Sequence, residues 1–215
     1  VTDNASSSMK KQAGNFTELV FGYGIEKDNR DRPWMPTSGS VLSFNQRLPL
    51  YSEQASIYNS IYYTKYHLFT ENIIGALKFY GANVTAIEDD VRLNKRLHIP
   101  SKRLRGFESH KVGPKDGVDY VGGNYATALN FEAALPNLLP ESTQTDIAIF
   151  MDMGNVWGVD YDSSINDSSG IRSSIGMTSN VYTPIGPLSF VFALPMTEES
   201  TDITQTFKFQ IGTSF

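Results

Sequence analysis

The sequence predicts an all-β chain, an antiparallel transmembrane β-barrel, and three observations predict it. About nine segments alternate apolar and polar residues with period two, over lengths near those of strands that cross a tilted membrane. The 215 residues are 12% aromatic, with 11 Tyr and 13 Phe, and only 19% charged, a composition suited to a pleated surface. No run approaches the roughly 18 apolar residues of a membrane-spanning helix. Helices and closed barrels are the only spanning structures whose backbone groups are all satisfied, so the chain is either a barrel or a soluble sheet. Sandwich strands usually run shorter, about 5–6 residues, which favours the barrel.

Residues 1–14 are a Ser- and Lys-containing lead, and the barrel is expected over 15–215. In the first strand candidate, 15–26, Leu19, Phe21, Tyr23 and Ile25 share one face and Glu18, Gly22 and Gly24 the other. A polar turn with Pro33, Pro36 and Gly39 precedes the second, 40–48, where Leu42, Phe44 and Leu48 oppose Ser43, Asn45 and Arg47. Pro49 is expected to end it. The third, 54–66, is rich in Tyr (Tyr58, Tyr62, Tyr63, Tyr66), and its weak alternation leaves its facing open. After a turn at 69–72, the fourth, 73–82, sets Ile73, Leu77 and Phe79 against Lys78 and Tyr80.

The connection over 83–121 is the longest in the chain, and loops of that length without structure of their own are usually functional. Beyond it the fifth strand, 124–135, alternates most clearly, with Leu129 and Phe131 against Asn130 and Glu132. The sixth, 146–157, places Ile147, Ile149, Met151 and Met153 opposite Ala148, Phe150, Asp152 and Gly154. A polar loop at 160–170 leads to the seventh, 171–182, with Ile175 and Met177 against Arg172, Ser174 and Gly176. A tight turn at 183–186 opens the eighth, 188–194. The ninth closes the chain with Phe207, Phe209, Ile211 and Phe215 on one side and Lys208, Gln210 and Gly212 on the other. An odd number of antiparallel strands puts the two chain ends on opposite sides of a membrane, whereas single-chain bacterial barrels are even. The expectation is therefore a fragment, the C-terminal strands of a larger barrel.

Several function classes are excluded. A net charge of -5 supplies no clustered basic face for nucleic acid. Cysteine is absent, so no disulfide or cysteine metal site is possible. His67, His98 and His110 lack metal-ligand spacing and read as interfacial or loop residues. Asp89, Asp90 and the acids between Asp160 and Asp167 read as solvated loop charge rather than calcium ligands. No Ser-His-Asp set, phosphate-cradling loop or paired catalytic acid stands out, so no enzyme, cofactor or metal is expected.

The candidate site lies in the long connection, at Arg103-Leu104-Arg105-Gly106-Phe107-Glu108-Ser109. Glu132 and Asp152 sit on strand faces that point away from lipid, with Phe150 on the same face as Asp152. A guanidinium is a planar fork that binds carboxylates bidentately and stacks on an aromatic ring. The pattern points to a loop folded into the barrel and held there by charge. Arg105 can use both carboxylates only from between two adjacent strands; otherwise it is a solvated arginine on a mobile loop. Gly106 permits backbone geometry closed to other residues, and Phe107 is suited to hold the tip.

With these elements in place, the sequence resembles the bacterial surface antigen family, the barrels of outer-membrane β-barrel assembly factors. Four motifs carry the resemblance: Arg103-Leu104-Arg105-Gly106-Phe107 with Val112-Gly113-Pro114-Lys115; Val121-Gly122-Gly123-Asn124; Phe150-Met151-Asp152-Met153-Gly154-Asn155-Val156-Trp157; and Thr183-Pro184-Ile185-Gly186-Pro187-Leu188-Ser189-Phe190. It covers 16–215; Leu104 stands where the family usually has Val. The resemblance implies a barrel of about sixteen strands in the bacterial outer membrane. It also implies that 83–121 is a lumen-inserted loop whose Arg105 meets Glu132 and Asp152 beside Phe150. Phe207, Phe209, Ile211 and Phe215 resemble the signal that ends outer-membrane barrels, and Gly212 weakens a last strand that forms a lateral seam. The implied function is folding and insertion of other barrels. The implied partners are unfolded outer-membrane barrel proteins, assembly-machinery lipoproteins and outer-membrane lipid. A TamA-like or two-partner secretion pore of the same superfamily, and a surface antigen or binding module, are the alternatives.

Overall fold

The structure, a computed structural model, describes residues 10, 12, 14–167, 170–184 and 186–212. Strands β1 (Glu18–Asp28), β2 (Gly39–Ser52), β3 (Ser56–Thr70) and β4 (Ile73–Ala86) precede the long loop. That loop holds a 3-10 turn at Leu93–Lys95 and a hairpin of β5 (Lys115–Asp116) and β6 (Asp119–Tyr120). Then follow β7 (Tyr125–Ala134), β8 (Thr145–Trp157), β9 (Arg172–Thr183), β10 (Gly186–Thr197) and β11 (Phe207–Ile211). Apart from the β5–β6 hairpin, the strands form one nine-stranded antiparallel sheet in chain order, β1-β2-β3-β4-β7-β8-β9-β10-β11. Among the described residues no helix is long and apolar enough to cross a membrane.

Burial separates the two faces of the sheet. Along β7 and β8 the residues that face the long loop, Ala126, Ala128, Asn130, Ala148, Phe150, Asp152 and Val156, are all buried. The opposite face exposes Phe131, Ile149 and Met151, and farther round Ile25, Leu194 and Ile211, the last three each more than three-fifths exposed. A soluble sheet would bury that apolar face; here it stays exposed, as on the outer wall of a barrel, and the long loop packs against the opposite face. The apolar core lies between loop and wall, where Val91, Leu97, Ile99, Leu104, Phe107 and Val112 pack on Val84, Ala126, Ala128 and Val156.

Two boundaries differ from expectation for one reason. Pro49 does not end β2, which continues to Ser52, and Pro195 lies within β10. Both sit at register shifts, Pro49 opposite Val20 and Pro195 opposite Ser174, where a bulge removes the need for the missing N–H donor. The register of β3 settles its facing: Tyr58, Tyr62 and Tyr66 lie beside inward Val84, Tyr80 and Ala76, while Tyr63 turns outward beside Phe79. Strand β4 extends to Ala86, so the long loop begins later than 83, and the Leu97–Gly123 bridge joins two parts of the loop to each other. Strand β11 ends at Ile211; Phe215 and Ile185 lie outside the described residues.

Candidate functional site

Arg105 sits where the loop crosses the inner face of β7 and β8. Asn130 and Asp152 are partners in the ladder, as are Glu132 and Phe150, so both acids and the ring lie within two neighbouring register rows. The Arg105 Nε donates to Asp152 Oδ2 at 2.7 Å and Nη2 donates to Oδ1 at 2.8 Å, the bidentate fork. Nη1 donates to Glu132 Oε2 at 3.1 Å, and the backbone N–H of Arg105 donates to Asp152 Oδ2 at 3.0 Å. The guanidinium carbon lies 3.5 Å from the Phe150 ring centroid. Glu132 also receives Lys78 Nζ at 3.2 Å, so two cations and two carboxylates close a neutral chain on the wall.

The Asp152 side chain is wholly buried and that of Arg105 is 11% exposed. Burial works against the charge of Arg105, but the Asp152 hydrogen bonds and the nearby charges of Asp152 and Glu132 outweigh it and raise its pKa above the ordinary value. Such a group is a permanent cation, and removing its partner would leave a desolvated charge.

The neighbours of Arg105 complete the seat. Arg103 places its guanidinium over Tyr80 (3.8 Å) and Tyr62 (4.7 Å), and its carbonyl accepts from Asn130 Nδ2 at 2.8 Å. Leu104 and Phe107 are each 1% exposed in the core. Gly106 adopts φ +91°, and a Cβ there would stand 3.1 Å from Ser174 Cβ and 3.2 Å from Ala193 Cβ. The position therefore needs a left-handed backbone and leaves a side chain little room. Gly176 makes room for Phe150, whose ring would meet an added Cβ at 2.5 Å. The Ser174 hydroxyl donates to the carbonyl of Arg105.

The structure brings Arg103, Leu104, Arg105, Gly106 and Phe107 together with Glu132, Phe150 and Asp152. The last-strand residues stand apart on the outer face. Phe207, Phe209 and Ile211 pair with Phe192, Phe190 and Leu188, and the facing rings are 5.0 and 5.1 Å apart. Gly212 has φ +100° and its N–H donates to Pro187 at 2.9 Å.

A second clasp on the loop is absent from the sequence reading. Asp160 is not solvated loop charge. It pairs with the fully buried guanidinium of Arg96 and accepts from the Val91 N–H at 3.0 Å and Asn124 Nδ2 at 2.8 Å. Burial raises its pKa, and these donors together bring it below the ordinary value. Arg96 also donates to the Val91 carbonyl and stacks on Tyr161. No local pattern marks this pair, because its members lie 64 residues apart on two irregular loops. His98 and His110 meet inside the same loop, ring centroids 5.0 Å apart. Among the described residues no group of three or more His, Asp or Glu could hold a metal ion.

Comparison with known proteins agrees with this geometry. The Omp85 superfamily domain matches residues 1–215. The chain is 24% identical over 221 residues to outer membrane protein assembly factor BamA of Neorickettsia risticii, covering 100% of this chain and 30% of that protein. It is 25% identical over 242 residues to the sorting assembly machinery 50 kDa subunit of Saccharomyces cerevisiae, covering 98% of this chain and 46% of that one. The crystal structure of BamA from Haemophilus ducreyi lacking POTRA domains 1-3 superposes with a TM-score of 0.78 at 22% identity, over 88% of this chain and 41% of that chain. The chain thus spans about a third to a half of the length of these relatives. A loop packed against one face of an antiparallel wall, an exposed apolar face opposite it and these likenesses lead to one family: the chain belongs to the Omp85 superfamily and is part of an outer-membrane β-barrel.

Proposed function

We propose that this chain is the C-terminal part of the barrel of a β-barrel assembly factor, which folds and inserts other outer-membrane barrels at a lateral seam beside its last strand. The observation that carries the reading is the Arg105 seat, a buried cation held between carboxylates of adjacent strands, in a chain similar to BamA. The long loop that follows Ala86 then acts as a lumen-inserted loop that braces the wall next to the seam. An edge strand such as β11 offers unpaired backbone groups on which an incoming strand can form a ladder. Its outward residues Phe207, Phe209 and Ile211 face lipid. The substrates are unfolded outer-membrane barrel proteins, and the partners are assembly-machinery lipoproteins and outer-membrane lipid.

The test uses the full-length protein in proteoliposomes, with insertion of a reporter barrel followed by its heat-modifiable mobility. Arg105→Ala is expected to slow insertion several-fold while its own barrel stays folded. Wild-type insertion rates in a folded variant would overturn the reading.

A further inference from the structure

The segment before the last strand is bound to the long loop rather than lying free above the sheet. The loops 87–124, 158–171 and 198–206 all leave the sheet at the same end. There the motif and residues 203–205 form a short antiparallel ladder. Gln205 N–H donates to the Gly106 carbonyl at 2.8 Å, and Glu108 N–H donates to the Ile203 carbonyl at 2.9 Å. Phe107 and Thr204 form the bridge between these bonds, and Ile203 N–H donates to the Lys111 carbonyl at 3.1 Å.

A buried ion pair holds this segment from the other side. Arg172 on β9 donates Nε to Asp202 Oδ2 at 2.8 Å and Nη2 to Oδ1 at 3.2 Å, with side chains 4% and 0% exposed. Asp202 also accepts from the Glu199 N–H at 2.8 Å, and Arg172 donates to Asn155 Oδ1 at 2.6 Å. Three residues after the ladder, Lys208 on β11 donates to the Ser101 hydroxyl of the same loop. Strand β11 itself contributes only the five residues Phe207–Ile211 to the sheet.

We propose that Asp202 is a positioning residue: with the 203–205 ladder it joins the seat of Arg105 to the start of the last strand, so that loop and strand open and close as one unit. The motif cannot leave its seat without giving up the Gly106–Gln205 and Glu108–Ile203 bonds. The last of those bonds, at Gln205, lies two residues before β11, which has too few ladder bonds to stay ordered once its entry is freed. Movement at the edge of the sheet is thereby tied to the state of an ion pair on β8. The coupling goes beyond the assembly reading and stands or falls separately from it.

Hydrogen exchange of the full-length protein in lipid nanodiscs tests it without any assembly assay. In wild type under rising denaturant, amides of 105–112 and 203–211 are expected to open with one common free energy and denaturant slope. Asp202→Asn should speed exchange in both stretches by about tenfold or more and leave β7 unchanged. Arg105→Ala should do the same from the opposite end. Faster exchange confined to 199–206 in Asp202→Asn, or to 101–112 in Arg105→Ala, would overturn the proposal. Should a variant fail to fold, the wild-type profile decides: two separate opening energies would sink it.

Discussion

The long loop is held by two largely desolvated arginines, and they are held differently. Arg105 lies on the wall and meets two acids carried by strands, one of them wholly buried. Arg96 lies at the rim and meets one carboxylate from another loop, its side chain 29% exposed, together with backbone carbonyls. A strand carboxylate cannot retreat into water when its partner leaves, whereas a rim carboxylate can. The same ion-pair chemistry should therefore be worth much more at the wall than at the rim.

The sharpest way to break this contrast is to remove the buried acid. Asp152→Ala leaves Arg105 desolvated beside a ring and is expected to destabilise the loop's seat by about 3–5 kcal/mol. The measurement is the thermal midpoint of the heat-modifiable band, together with protease cleavage within 101–112. Arg96→Ala frees Asp160 to be rehydrated and should cost less, about 1–3 kcal/mol, with cleavage confined to the rim at 88–97. Equal effects of the two substitutions would erase the distinction. Glu132→Gln keeps the Asp152 fork and Phe150 stacking, so a smaller loss of about 1 kcal/mol is expected. A loss as large as that of Asp152→Ala would mean that the two acids share the cation equally.

Acid provides the mildest probe. His98 is buried against His110, and burial first, then the charge of His110, lowers its pKa from 6.5 to about 4. The unfolded chain binds a proton near 6.5 and the folded one resists until about 4, so the unfolded state holds more protons in that window. Stability is thus level above pH 6.5, falls as pH drops from 6.5 toward 4, and ceases to change below both values. The Arg96–Asp160 clasp persists through this window, since a lowered carboxylate pKa keeps its contribution until pH falls below the ordinary 3.8. Loop proteolysis at pH 7 and pH 5 checks this, and His98→Phe should flatten the difference. An unchanged pH response in that variant would point to another titrating group.

The two arginines also differ in how far the sequence revealed them. Arg105 was visible because its partners stand on strands: alternation placed Glu132 and Asp152 on the face opposite Leu129, Phe131, Met151 and Met153 before any pairing was known. Arg172 carried the same kind of signal, an inward cation on an alternating strand, but its partner Asp202 lies in an irregular turn where no periodicity assigns a direction. Asp160 gave no signal at all. In loops such as 158–171 and 198–206, nothing local distinguishes a solvated carboxylate from a buried one. Pro49 misled in the opposite sense, since a missing donor ends a regular strand but fits a bulged one.

What the sequence determined by itself is what period two encodes: the strands, their two faces, the apolar outside, and the side chains that could point inward. Strand geometry is local, and a residue's face follows from its parity alone. Tertiary structure decided which inward groups meet. Arg105 reaches Asp152 across 47 positions, Arg96 reaches Asp160 across 64, and Phe107 lies beside Thr204. Those meetings depend on sheet register and on the path of a long irregular loop, which are set by packing between segments distant in the chain.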